Sequence, residues 1–438
     1  MTTPILSFVE KYAKSQDVRM HMPGHKGVSS LGFEAYDITE ISGADVLYSP
    51  DGIICESENN LSEIYGSYHS FYSTQGSTLA IFAMLDIATR RRGADRPYIL
   101  AARNVHTAFV KAAALLDLEV GWIYPEEYSH LCSCSITSDE LEKALNLAER
   151  VPHAVYVTSP DYLGNILDIA SLSKVCKKYG VPLLVDNAHG AYLKFLEQDC
   201  HPITLGAAMC ADSAHKTLPV LTGGAYLHVS KDYADYAKCA RSSLALFAST
   251  SPSYLTLASL DLCNKRLSED YPRLIKDLAT KVCEIKEKIS SFGFEVVRSE
   301  ELKSVVKAGH YLSDHLRSQG IECEFSDREY TVLMLTPENT ESDFDRLITA
   351  FSTCERRENG SIPPVPQLHS SVMSIREAIF SPTERIAVKS AVGRISATPS
   401  VSCPPAVPIV VSGERICEQD ILSFDYYGVE FVDVVKEI

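Results

Sequence analysis

Between Ser77 and Val229 the chain alternates two hydrophobic periods. Apolar residues recur at helical spacing in "STLAIFAMLDIATRRRG", which predicts a helix stopped by Gly93. "YILAA" then has the form of a short buried strand, "VHTAFVKAAALLD" of a helix and "EVGWIYP" of a second strand. Thr137 with Glu140 makes a capping-box pattern ahead of "LEKALNLAER". "AVYVTSP" is β-rich, "IASLSKVCKKYG" predicts a helix ending at Gly180, and "VPLLVDNAHG" predicts a buried strand that runs into a polar turn. "AAMCADSAHK" and "GAYLHV" add two further strands. Strand and helix alternating at this spacing predict an α/β protein, a mostly parallel sheet with helices on both faces. Ligands of such sheets bind beyond the carboxyl ends of the strands.

After Leu267 the pattern changes. Charged helical stretches such as "RLIKDLATKVCEIKEKISSFG" precede strand-like pieces such as "YTVLMLTP", and a Pro-rich connector, "SIPPVPQ", covers 361–367. A chain of 438 residues also exceeds the usual size of one core. The expected organisation is an N-terminal arm over 1–30, a large domain over 31–267 and a smaller C-terminal α/β domain over 268–438.

Composition narrows the classes. An apolar fraction of 45% with 22% charged residues is that of a globular chain. The formal net charge of −16 repels polyanions, and no run of lysines and aromatics suggests a nucleic-acid partner. Arg90, Arg91 and Arg92 form the one basic cluster, at a helix end where positive charge suits the dipole. The opening "MTTPILSFVEKYAKSQDVRM" carries charge from Glu10 onward, so neither a signal peptide nor a membrane span is expected. Thirteen cysteines, of which only Cys132 and Cys134 lie close together, suggest reduced thiols in a cytoplasmic protein.

Four polar insertions interrupt these apolar elements. Gly76-Ser77-Thr78 opens a helix with free N–H groups and two hydroxyls, the makings of an anion cradle, although an ordinary N-cap explains it too. Asp186 ends an apolar strand, where an unpaired carboxylate is costly. A metal pair with His189 is conceivable there, but no further ligand stands at metal spacing, so none is expected. His106 begins a helix after a strand, and Ser213, His215 and Lys216 follow another. Together they offer an anion cradle, a strand-end carboxylate, a flat ring and a lysine amine. Pyridoxal 5′-phosphate requires that combination: an amine for its aldehyde, donors for its phosphate and a carboxylate for its ring nitrogen.

With these residues in place, the chain resembles the pyridoxal-phosphate-dependent ornithine/lysine/arginine decarboxylases. Their fold is that of the aspartate-aminotransferase-like transferases, and the chain looks most like their short members, which lack an N-terminal wing domain. The resemblance rests on "HMPGHKG" (21–27), "DITEISGADVL" (37–47), "QGST" (75–78), "ARNVH" (102–106), "TSPDYLG" (158–164) and "VDNAHGA" (185–191). It continues in "SAHKTLPVLTGGA" (213–225), "STSPSYLTLASLD" (249–261) and "AVGRIS" (391–396). It implies that Lys216 carries the cofactor, that Asp186 faces its ring nitrogen, and that His106 and Ala188 lie on the two faces of the ring. Gly76, Ser77 and Thr78 would hold the phosphate, helped by Ser213 and His215. It further implies decarboxylation of a basic amino acid, arginine ahead of lysine or ornithine, in polyamine-type metabolism. A homodimer or higher homo-oligomer with shared active sites is expected, and no membrane partner.

Three positions depart from the family pattern: Tyr192, where many relatives carry histidine, and Thr398 and Cys403 in the C-terminal region. They lie towards the part expected to meet the substrate's distal group. Two other outcomes remain open from the sequence. One is an aminotransferase or lyase reaction on the same fold, with Arg394 taking a substrate carboxylate; the other is a cofactor-fold protein that binds without turnover.

Overall fold

The computed structural model describes residues 1–90, 96–357, 362–399 and 406–437. Arg91 and Arg92 of the basic cluster, the predicted helix stop Gly93, Ser361 at the head of the Pro-rich connector, and Cys403 lie outside them. In chain order the first elements are α1 (Pro4–Ala13), α2 (Ile53–Tyr65), β1 (His69–Ser73), α3 (Gly76–Arg90), β2 (Tyr98–Ala102) and α4 (Thr107–Leu115). There follow β3 (Glu119–Ile123), α5 (Ser138–Leu147), β4 (Ala154–Thr158), α6 (Ile169–Tyr179), β5 (Leu183–Asp186) and β6 (Met209–Asp212). Then come α7 (Ala214–Thr217), β7 (Ala225–Val229), α8 (Ala237–Phe247), α9 (Tyr254–Ser268) and α10 (Tyr271–Ser291).

The chain forms two compact units, each discontinuous in sequence. Met1–Arg91 and Pro182–Lys276 make the first; Arg92–Val181 and Asp277–Ile438 make the second. The change of pattern after Leu267 falls at the end of α9, shortly before the chain passes into the second unit.

In the first unit the strands lie in the order β1-β7-β6-β5. β5 and β6 are parallel, whereas β7 is antiparallel to both β6 and β1. The reversal at β7 follows from its connection to β6, which carries one helical turn and no crossover helix. Sequence pattern alone does not show β1: "HSFYS" is short and carries two serines and a histidine, yet four of its five positions are buried. α3 packs nearly all round, with Leu79, Ile81, Met84, Leu85 and Ile87 buried and Ala80, Ala83 and Ala88 small enough for close approach. α1 seats Ile5 and Val9 in the core, and its first turn is tied down by Asp261 of α9, which accepts from Leu6 N at 3.0 Å.

In the second unit β4, β2 and β3 are parallel, in that order. α5 begins at the predicted capping box: Thr137 Oγ1 accepts from Glu140 N at 3.2 Å, and Glu140 Oε2 from Thr137 N at 2.6 Å. α6 ends where Gly180 takes a positive φ of 66°, a left-handed cap that favours glycine. An antiparallel sheet of Val296–Val297, Lys303–Val306, Phe325–Ser326 and Thr331–Met334 follows, and Thr383–Ala387 pairs with Phe431–Val435. Arg103, from the "ARNVH" motif, is buried. It donates to the carbonyls of Pro408 and Ile409 at 3.0 and 3.1 Å and pairs with Glu414 at 3.3 Å.

Candidate active site

Every sequence-predicted site residue except His106 lies in the first unit. The apolar strand β5 delivers Asp186 to its carboxyl end, where the side chain is 2% exposed and Oδ1 accepts from Ala188 N at 3.2 Å. The polar turn that follows carries His189, also buried. β6 ends at Asp212, and the single turn α7 then presents His215 and Lys216. Lys216 is half-buried, and its Nζ lies 3.0 Å from Nε2 of His189. Hydrogen bonding to an imidazole lone pair places the amine where a proton can pass between the two nitrogens. His189 is absent from the residues that the sequence singles out for the cofactor. Its position three residues after Asp186 was the available signal.

The anion cradle forms between two segments distant in sequence. Gly76 opens α3 with φ 71°, and its N–H donates to the Gly223 carbonyl at 2.7 Å. Gly223 itself has φ 93°, and a Cβ there would meet the Thr74 carbonyl oxygen at 2.9 Å, so only glycine fits. The Ser213 hydroxyl donates to that of Ser77 at 2.8 Å, bringing both beside the N-terminus of α3. Thr78 on the next position is exposed. Backbone N–H groups at a helix start together with two hydroxyls suit an anion. His215 Nδ1 and the His215 backbone N–H both donate to the Gly224 carbonyl, at 2.9 and 3.1 Å, holding the Gly223-Gly224 loop beside the cradle. The set therefore fits a phosphorylated aldehyde with a basic ring nitrogen: an amine at Lys216, a carboxylate at Asp186 and a dianion cradle at Ser77 and Ser213.

His106 belongs to the second unit. It is the N-cap of α4, half-buried, with Nδ1 accepting from Ala108 N at 3.0 Å. That bond fixes Nδ1 as an acceptor and orients the ring. Tyr192 is fully buried, and the Thr398 hydroxyl donates to Asp433 at 3.3 Å. Arg394 is committed to structure, donating to Glu384 at 2.5 Å and to the Val435 carbonyl at 2.8 Å.

The other face of the same strands is polar in an unusual way. Register pairs Asp186 with Ala211 and Val185 with Cys210, so Cys210 and Asp212 project from the face opposite to Asp186. Burial works against the Asp212 carboxylate, but His201 and His228 beside it hold it well below the usual carboxylate range. Burial also pushes the Cys210 thiol up, with Asp212 adding to the effect.

The family model described as "Orn/Lys/Arg decarboxylase, major domain" matches residues 3–308, and "Orn/Lys/Arg decarboxylase, C-terminal domain" matches 365–431. An arginine decarboxylase of Bacillus subtilis is 29% identical over 462 residues, covering 96% of this chain and 92% of the relative. In fold, a lysine decarboxylase of Francisella novicida superposes with a TM-score of 0.83 at 15% identity, over 99% of this chain and 81% of that one. The constitutive lysine decarboxylase of E. coli gives 0.79 at 16% identity, over 99% and 82%. The chain belongs to the Orn/Lys/Arg decarboxylase family.

Proposed function

We propose that the protein uses pyridoxal 5′-phosphate to decarboxylate a basic amino acid, arginine ahead of lysine and ornithine. The observation that carries this is the convergence of Lys216, the buried Asp186 and the paired Ser77 and Ser213 hydroxyls within one unit. When bound, the cofactor supplies a sink for the electron pair left at Cα as carbon dioxide departs. Asp186, nearly inaccessible to water, would hold a proton on the ring nitrogen of the bound cofactor. Gly76, Ser77, Thr78 and Ser213 oppose the phosphate charge at the start of α3, while His215 braces the neighbouring loop. Lys216 would hold the cofactor through its Nζ, and the Lys216–His189 pair would keep a proton available beside it. His106 and Ala188 are assigned to the two faces of the ring on the family motif.

Arginine is favoured because curated relatives similar over nearly the whole chain are arginine decarboxylases. The net charge of −16 also draws cationic substrates. A homo-oligomer is supported by the segment after α1, where Val18, Met20, Val28 and Leu31 are all exposed, an apolar display that a partner surface would cover. Among the described residues no helix is long and apolar enough to cross a membrane. The aminotransferase alternative is weakened by the commitment of Arg394 to Glu384 and Val435.

The test is carbon dioxide release from arginine, lysine and ornithine in parallel, on protein supplied with the cofactor. Fastest release is expected from arginine, and Lys216→Ala should abolish both release and the visible absorbance while leaving the far-UV circular dichroism unchanged. A variant releasing gas at the native rate would remove Lys216 from its role. Absorbance with keto-acid formation and no gas would favour the aminotransferase.

A further inference from the structure

The polar cluster on the opposite face from Asp186 is a better-formed group than a buried core requires. His201, Cys210, Asp212 and His228 are all fully buried, and their ligand-type atoms all lie within 4.8 Å of one another. Asp212 Oδ2 is 2.9 Å from His201 Nε2 and 3.3 Å from His228 Nε2. Cys210 Sγ is 3.6 Å from Asp212 Oδ1 and 4.0 Å from His201 Nε2. Ligands about 2.0–2.3 Å from a tetrahedral ion stand roughly 3.3–3.8 Å apart, and four atoms within 4.8 Å of one another, one from each residue, are close enough to gather around one ion.

We propose that His201, Cys210, Asp212 and His228 form a structural site for a divalent ion of borderline softness, with Zn²⁺ the best match. Two imidazoles, a thiolate and a carboxylate make four ligands, leaving no open position, which is the pattern of a structural rather than a catalytic centre. Charge supports it: thiolate, carboxylate and a dication sum to zero in a place that tolerates no net charge. On binding, the Cys210 thiol releases its proton to solvent, and each imidazole carries its proton on Nδ1 while Nε2 gives its lone pair to the ion.

For His228 the partner of that tautomer is in place, whereas His201 Nδ1 is buried without a hydrogen-bond partner among the described residues. His228 Nδ1 lies 2.7 Å from Ser70 Oγ, which is itself 2.7 Å from Ser67 Oγ. Asn187 Nδ2 donates to Asp212 Oδ1 at 2.8 Å, steering the other carboxylate oxygen. The two rings stand at 88° with centroids 5.3 Å apart, and Tyr65 packs against both. Such outer partners orient ligands and set affinity. Spacing in the sequence gives no hint of the group, because β6 and β7 supply three ligands through their register and the loop before β6 supplies the fourth.

The experiment uses tag-free, cofactor-loaded protein cleared of metal with chelator and then given Co²⁺ or Zn²⁺ alone. About one ion per chain is expected by mass spectrometry of the metal, and Co²⁺ should show visible d–d bands with a thiolate charge-transfer band in the near ultraviolet. Cys210→Ser should lose the charge-transfer band, and Ser70→Ala should keep it while weakening affinity about 10–100-fold. Cys176→Ser, a buried thiol outside the cluster, should leave everything unchanged. Substoichiometric metal on folded protein would overturn the proposal. So would a band that survives Cys210→Ser, or one lost instead in Cys417→Ser, whose side chain neighbours His369 and Asp420.

Discussion

A carboxylate at the end of a buried strand is stable only where something positive or protonated meets it. Asp186 is such a group: buried at the end of β5, it accepts from the Ala188 amide at 3.2 Å. Asp186→Asn is expected to retain some cofactor yet slow carbon dioxide release by about 10²-fold or more, the scale on which a preorganised electrostatic partner acts. Equal rates for variant and native protein would remove Asp186 from that role. At this scale the sequence is informative where the signal is local. Lys216, Asp186 and Ser77 each stand at the junction of an apolar run and a polar turn, and the structure puts them at element ends. The contact of His189 with Lys216 spans 27 positions and depends on how β5 and β6 are set side by side, which no local pattern encodes.

Among elements, two buried acids carry the sharpest consequences. Asp261 of α9 accepts from Leu6 N of α1 at 3.0 Å and from the Ser57 hydroxyl of α2 at 2.5 Å. Burial pushes its carboxyl up to about 6 despite the Ser57 hydroxyl and the amides of Leu6 and Ile5. The folded chain therefore holds a proton that the unfolded chain has released between about pH 4 and 6. Stability from this group is present below that window and is lost as pH rises through it, by about 2–3 kcal/mol. Urea unfolding at pH 4 and 7 should show this loss in the native protein and not in Asp261→Asn; parallel pH profiles would refute it. Glu414 pairs with buried Arg103, so Glu414→Gln should cost about 3–5 kcal/mol in the same assay, and replacing both partners with apolar residues should cost less. The predicted elements between Ser77 and Val229 appear, with the Thr137–Glu140 box and the Gly180 cap in place. β1 escapes because a five-residue stretch with two serines and a histidine does not announce burial on both faces, and β7 runs antiparallel because its link to β6 is short.

For the whole molecule, net charge and exposed apolar surface set its behaviour in solution. The charge of −16 favours solubility, while Val18, Met20, Val28 and Leu31 invite self-association. Sedimentation is expected to give a dimer or larger, and Met20→Glu with Leu31→Glu should shift it towards monomer; a native monomer would contradict the shared-site proposal. The arrangement of the two units has a further effect, on synthesis. Each is stitched from separated stretches, so the one that bears Lys216 is complete once Lys276 has left the ribosome, while residues 92–181 still lack their unit's remainder, 277–438. At about 5–20 residues per second that interval lasts roughly ten to thirty seconds. During it, residues 92–181 wait for the rest of their unit, and a chaperone has its best opportunity to hold them.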